Sequence, residues 1–238
     1  MRVSRLLATG LVLMFATSAF AQGEWIQYVN KDEGFCSNFP SQPKVEEIAW
    51  TTPYDFKLPG KVFSGSDAIG TYAVTSVDYR GLEKLGMERA KACPAGAETC
   101  LGNQVGGSIG PGYWKMDMRG AMTSAIFNYT QRPGKITELT YQFQELVEGY
   151  FVHLTNPDGS RTNAYITMHE GHLYIWEGTT KKGMPEPGLF MGSVGFADPD
   201  GQGVRYQSIY SQAYHGTREF PLPARAMRGN QGAGCQPN

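Results

Sequence analysis

Between Gly149 and Glu177 the chain alternates aliphatic side chains with aromatic or polar ones, and two turn sequences set the phase of that alternation. Glu170-Gly171 suits a two-residue hairpin loop, and Pro157-Asp158-Gly159 a three-residue loop with glycine at the left-handed position. Side chains in a strand alternate with period two, so these loops fix which residues share a face. Tyr150, Val152, Leu154, Ala164, Ile166, Met168, Leu173 and Ile175 fall on one side, which predicts a core face. Phe151, His153, Asn163, Tyr165, Thr167, His169, His172, Tyr174 and Trp176 fall on the other. This second face is aromatic and almost uncharged, and such a face seldom meets only water.

Elsewhere the periodicity changes. From Trp25 to Tyr79, short β-branched or aromatic runs such as Thr71–Tyr79 are broken by Gly, Pro and Asn, which predicts strands. Leu82, Leu85 and Ala90 stand near helical spacing within Arg80 to Ala92, and Met118, Met122, Ala125, Ile126 and Tyr129 form one stripe within Met116 to Tyr129. Two helices follow. The glycine-rich stretch from Gly102 to Gly112 reads as a loop. Pro185 to Phe196 offers a proline-led short helix to pack on the sheet, and Gly203 to Ser211 a last strand. The expected architecture is α+β: an antiparallel sheet flanked by a few helices in one domain over residues 22–218, with an irregular tail over 219–238.

The first 21 residues belong to neither. Arg2 and Arg5 precede an apolar run from Leu6 to Phe15 and then Ala19-Phe20-Ala21, the three regions of a secretory signal, with cleavage expected before Gln22. The run is too short and interrupted to span a bilayer, and no cysteine follows the cleavage point to carry a lipid. The expectation is a periplasmic or secreted product with no membrane span. Removing two of the 21 basic residues leaves 19 against 22 acidic ones, a net charge of −3. With no run of Lys or Arg, nucleic acid is excluded as a partner. In an oxidising compartment the even set Cys36, Cys93, Cys100 and Cys235 predicts disulfides. Three connectivities are open; the most local closes Cys93 to Cys100 and leaves Cys36 for Cys235.

Several of these residues together carry a likeness. Tyr28, Gly34-Phe35 and Phe39-Pro40, then Tyr165–His169, Leu173–Ile175 and finally Phe190, Ser193 and Phe196 resemble the PsbP-like group of exported bacterial and chloroplast-lumen proteins. The resemblance covers residues 25–196 and implies an antiparallel sheet flanked by helices, with accessory or binding roles in place of catalysis. Cys36 inside the first motif and the cysteine-bracketed loop depart from it, so no partner site is carried over.

The chemical candidates compete with plainer readings. Gly106-Gly107-Ser108-Ile109-Gly110 matches the nucleophile elbow of serine hydrolases, with Asp158 or Asp198 and His215 following in the required order. An elbow sits between strand and helix, whereas Pro111-Gly112 follows here, and the chain lacks the alternation of a parallel sheet. His169 and His172 face each other across a two-residue turn, about 5 Å apart at Cβ, and could share a metal ion; a zinc site needs more ligands than two. Asp198-Pro199-Asp200-Gly201 lacks the closing glutamate of a calcium loop and reads as a β-turn. No phosphate-binding glycine string occurs and no cofactor is implied. Tyr165, Tyr174 and Trp176 remain as a surface for a sugar, a peptide or a protein, unless another element covers them and makes both faces core. The expected role is that of a non-catalytic accessory or ligand- or partner-binding protein, with a Ser108 hydrolase as the alternative.

Overall fold

A computed structural model describes residues 24–92, 113–206, 208–212 and 235. The chain opens with five strands, β1 (Ile26–Asn30), β2 (Phe35–Phe39), β3 (Lys44–Thr51), β4 (Lys57–Ser66) and β5 (Gly70–Asp78). Helices α1 (Leu82–Lys91) and α2 (Tyr113–Thr130) follow, then the meander β6 (Lys135–Gln144), β7 (Val147–Thr155), β8 (Arg161–His169) and β9 (His172–Thr180). A single helical turn, α3 (Gly188–Met191), and a two-residue strand, β10 (Gly195–Phe196), come last.

Seven strands form one antiparallel sheet in the order β3-β4-β5-β9-β8-β7-β6, and β1-β2-β10 form a second. The register of the meander is the one its turns dictate. Glu170 (φ 46°) and Gly171 (φ 79°) are both left-handed, as a type I′ loop requires, and His169 pairs with His172, Met168 with Leu173 and Tyr165 with Trp176. At the other bend Thr155 pairs with Arg161 and Val152 with Ala164.

Both faces of the large sheet are core. Val152, Ala164, Ile166, Met168, Leu173 and Ile175 pack with Leu82 of α1 and with Ala121, Ala125 and Tyr129 of α2. On the reverse, Phe63, Val74, Tyr165, Tyr174 and Trp176 pack with Phe35 and Phe39 of β2, Phe190 of α3 and Phe196 of β10. Edge-to-face contacts run through this second layer: Phe35 lies 6.2 Å from Trp176 and Trp176 5.7 Å from Phe196, each pair near perpendicular. The layers are helix, sheet, sheet.

Three expectations change. Strand accounts for 47% and helix for 18%, so the chain is mainly β and not α+β; a second sheet, together with the short helix α3, closes the aromatic face. Among the described residues, 203–206 and 208–211 form no strand, only isolated bridges between Ala197 and Gly203 and between Val147 and Tyr210. Finally β6 is an additional strand, with a bulge between Ile136 and Glu138.

Cys36 in the central strand of the small sheet is joined to Cys235 by a disulfide, across 199 residues of sequence. The stretch before that cross-link straps the ends of the meander. Tyr210 N donates to Leu146 O and Glu148 N to Tyr210 O, while the Tyr210 hydroxyl accepts from Glu170 N and Gln212 Oε1 accepts from Gly171 N.

Candidate functional site

The aromatic residues singled out by pattern are interior. Trp176 and Tyr165 are 0% exposed and Tyr174 is buried with them. The Tyr165 hydroxyl donates to Val147 O at 2.6 Å and the Tyr174 hydroxyl donates to Glu33 O, so both phenols spend their polar atom on the backbone. Tyr174 anchors the large sheet to the small one and Tyr165 ties β8 to β7 of its own sheet, and neither ring is open to a solvent-borne ligand.

The two histidines do stand opposite each other, but each has its own surroundings. His169, 2% exposed, lies between the rings of Phe196, Tyr206 and Tyr210, and its Nε2 meets the Tyr206 hydroxyl. Burial holds its pKa down to about 3, with the neighbouring His172 pushing the same way. Among the described residues no group of three or more His, Cys, Asp or Glu is placed to hold an ion. Asp158 accepts from Ser160 N and Oγ, and Asp198 from Asp200 N and Gln202 N, so both close their own turns. Ser108, His215, Cys93 and Cys100 lie outside the described residues.

Where the small sheet stops covering the aromatic face, a charged cleft of roughly 270 Å³ opens, lined among others by Glu33, Glu47, Lys61, Asp78, Arg80 and His172. Five segments distant in sequence meet there. Lys61 of β4 lies beside Glu47 of β3, and Asp78 of β5 beside His172 of β9. Glu33 reaches down from the β1–β2 turn, which is shaped by the bond from Glu33 N to Asn30 Oδ1 (2.9 Å) and docked by the Tyr174 hydroxyl. Gly34 beside it is left-handed (φ 68°), and a Cβ there would sit 3.2 Å from the Tyr174 oxygen. Glycine is what lets the turn come this close.

The charges are pre-paired. Glu33 Oε1 contacts Lys61 Nζ at 2.8 Å, and Glu33 Oε2 accepts from Ser76 Oγ at 2.8 Å. Asp78 takes a fork from Arg80, with Nε to Oδ1 at 2.9 Å and Nη2 to Oδ2 at 2.8 Å, and Arg80 N adds a third bond to Oδ1. Bidentate pairs of this kind fix orientation as well as charge. The Arg80 bond holds the Asp78 carboxyl below the usual range, and the Glu33 bond and charge raise the Lys61 ammonium. Burial lowers His172, helped by Arg80 and opposed by Asp78 and Glu33, so its imidazole is neutral at pH 7.

Sequence pattern does not single out Glu33, Lys61, Asp78 and Arg80, because each is an ordinary charge beside a turn or within a strand. The one local signal is Asp78-Tyr79-Arg80, where an acid and a base two apart at a strand end can close on each other. No known family model matches the chain, and no curated protein matches it either.

Proposed function

We propose that the chain is an exported, non-catalytic binding protein that holds a small polar ligand in the cleft between Glu33, Lys61, Asp78 and Arg80. The observation that carries this reading is the ordered pairing itself. Two cations are held in place by partners that are themselves hydrogen-bonded, Glu33 by Ser76 Oγ and Asp78 by Arg80 N, the arrangement a recognition site needs before its ligand arrives. The remaining pattern-derived candidates lend no comparable support: the aromatic rings are interior, and His169 is sealed by Tyr206. Export rests on the signal-like start and accords with the Cys36–Cys235 disulfide, a bond suited to an oxidising compartment. The accessory role implied by the PsbP-like resemblance points the same way.

Thermal melting of the processed protein against a panel of small polar metabolites tests the cleft. Ligands that raise the midpoint of the wild type are expected to lose that effect in Arg80→Ala and in Lys61→Ala. A hit that stabilises both variants as much as the wild type places binding elsewhere, and a hit that is chemically consumed overturns the non-catalytic assignment. Export is read from the mass of the protein in the periplasmic or secreted fraction, expected to begin at Gln22; a full-length mass there contradicts it.

A further inference from the structure

Resting on the reading of the cleft as the binding site, the disposition of its charges narrows the ligand. The acids that hold the cations are each less exposed than their partners and are spent. Glu33 is 12% exposed at its side chain and both its oxygens are engaged, by Lys61 and by Ser76. Both oxygens of Asp78 face Arg80. The cations, in contrast, face outward: the Arg80 side chain is 58% exposed and that of Lys61 38%. Arg80 Nη1 has no acceptor among the described residues, and an ammonium such as Lys61 carries three donors, of which Glu33 takes one. Spare N–H donors on a pre-oriented guanidinium beside an ammonium suit a carboxylate.

A second group of opposite sign stands next to Lys61. Glu47 is exposed on β3, directly cross-strand from Lys61, and makes no hydrogen bond or ion pair among the described residues. It acts on Lys61 only through space. Counting the lining, Glu33, Glu47 and Asp78 against Lys61 and Arg80, with His172 neutral, gives a net charge of −1. A simple anion would be drawn by Arg80 and opposed by Glu47, and a simple cation the reverse. One molecule carrying both charges meets neither penalty.

We propose that the ligand is a small zwitterion, an amino acid or very short peptide. Its carboxylate lies against Arg80 and Lys61, its ammonium against Glu47, and its side chain along Pro59, which lines the cleft on the Lys61 side of β4. The cleft volume of roughly 270 Å³ sits just below the ~300–1,000 Å³ of ordinary small-molecule pockets, which suits a ligand of few heavy atoms.

The test is an NMR titration of the processed protein with alanine, leucine, acetate and methylamine at equal concentrations, following the Arg80 side-chain Nε–H and the backbone signals of Lys61 and His172. Alanine and leucine are expected to bind at least tenfold more tightly than acetate or methylamine. Glu47→Gln and Arg80→Gln are each expected to cut amino-acid affinity about tenfold while the melting curve stays cooperative. If acetate or methylamine moves these signals as strongly as alanine does, the zwitterion assignment is overturned while the cleft stands as a site. If no probe moves them the assignment is overturned as well, and the wider thermal panel then decides separately whether the cleft binds anything.

Discussion

His169 and His172 face each other across one tight turn, and their surroundings give them different chemistry. His172 borders the charged cleft, whereas His169 is sealed beneath Tyr206 and Tyr210. With its folded pKa near 3 against 6.5 in a free chain, His169 stays neutral where the unfolded chain is already protonated. Its contribution is therefore complete above pH 6.5 and is lost as pH falls toward 3, at up to about 1.4 kcal/mol per pH unit. His172, also lowered, acts in the same direction. Urea denaturation at pH 7, 6 and 5 should show stability falling, and His169→Gln should remove its share of the slope; an unchanged slope would contradict the sealed histidine. Trp176→Ala is expected to cost about 3–5 kcal/mol, the range for emptying a large aromatic site, measurable as a lower denaturation midpoint. The opposition of the two histidines was legible from Glu170-Gly171 alone. That Tyr206 would reach Nε2 was not, because 37 residues separate them and no periodicity links them.

At the scale of elements, legibility followed turn chemistry. The β7–β8–β9 registers could be read because Gly159 and Gly171 admit few loop geometries, and every pair in the meander then follows. In β6 the alternation of Leu139, Tyr141 and Phe143 is present, but the bulge between Ile136 and Glu138 breaks the period before it. The last segment, residues 203–206 and 208–211, has strand-like residues yet runs as a strap, since its backbone bonds are isolated ones, between Tyr210 and Leu146 or Glu148 and from Val204 to Phe196, and build no ladder among the described residues. The β8–β9 turn also supports the cleft. A Cβ on Gly171 would lie 2.8 Å from Arg80 Cγ, at a φ of 79° that other residues seldom adopt. Gly171→Ala is thus expected to cost about 1 kcal/mol of stability and to weaken ligand binding by displacing Arg80, checked by a thermal melt alongside a binding titration. Loss of stability with full affinity would mean that Arg80 does not depend on the turn.

For the whole molecule, the decisive feature is the small sheet, whose strands come from opposite ends of the fold. Phe196 pairs with Phe35 and Gly195 with Cys36, a pairing no local pattern announces, and it turns the aromatic face from a candidate surface into core. The same sheet leaves the cleft at its margin, so cover and site arise together. The Cys36–Cys235 bond ties this layer down. Cys235→Ser is expected to lower stability by about 2–5 kcal/mol, the usual loss on removing a native disulfide, read as a shift in the urea midpoint; an unmoved midpoint would show that the small sheet holds without it. The main rival surface is the exposed row Leu139, Tyr141 and Phe143 on β6, at the far end of the large sheet. Mapping NMR shift changes over the whole chain with a bound hit from the metabolite panel separates the two most directly. The account predicts that the changes gather at Glu33, Lys61, Arg80 and His172; a map centred on Leu139–Phe143, with those four residues still, would contradict it.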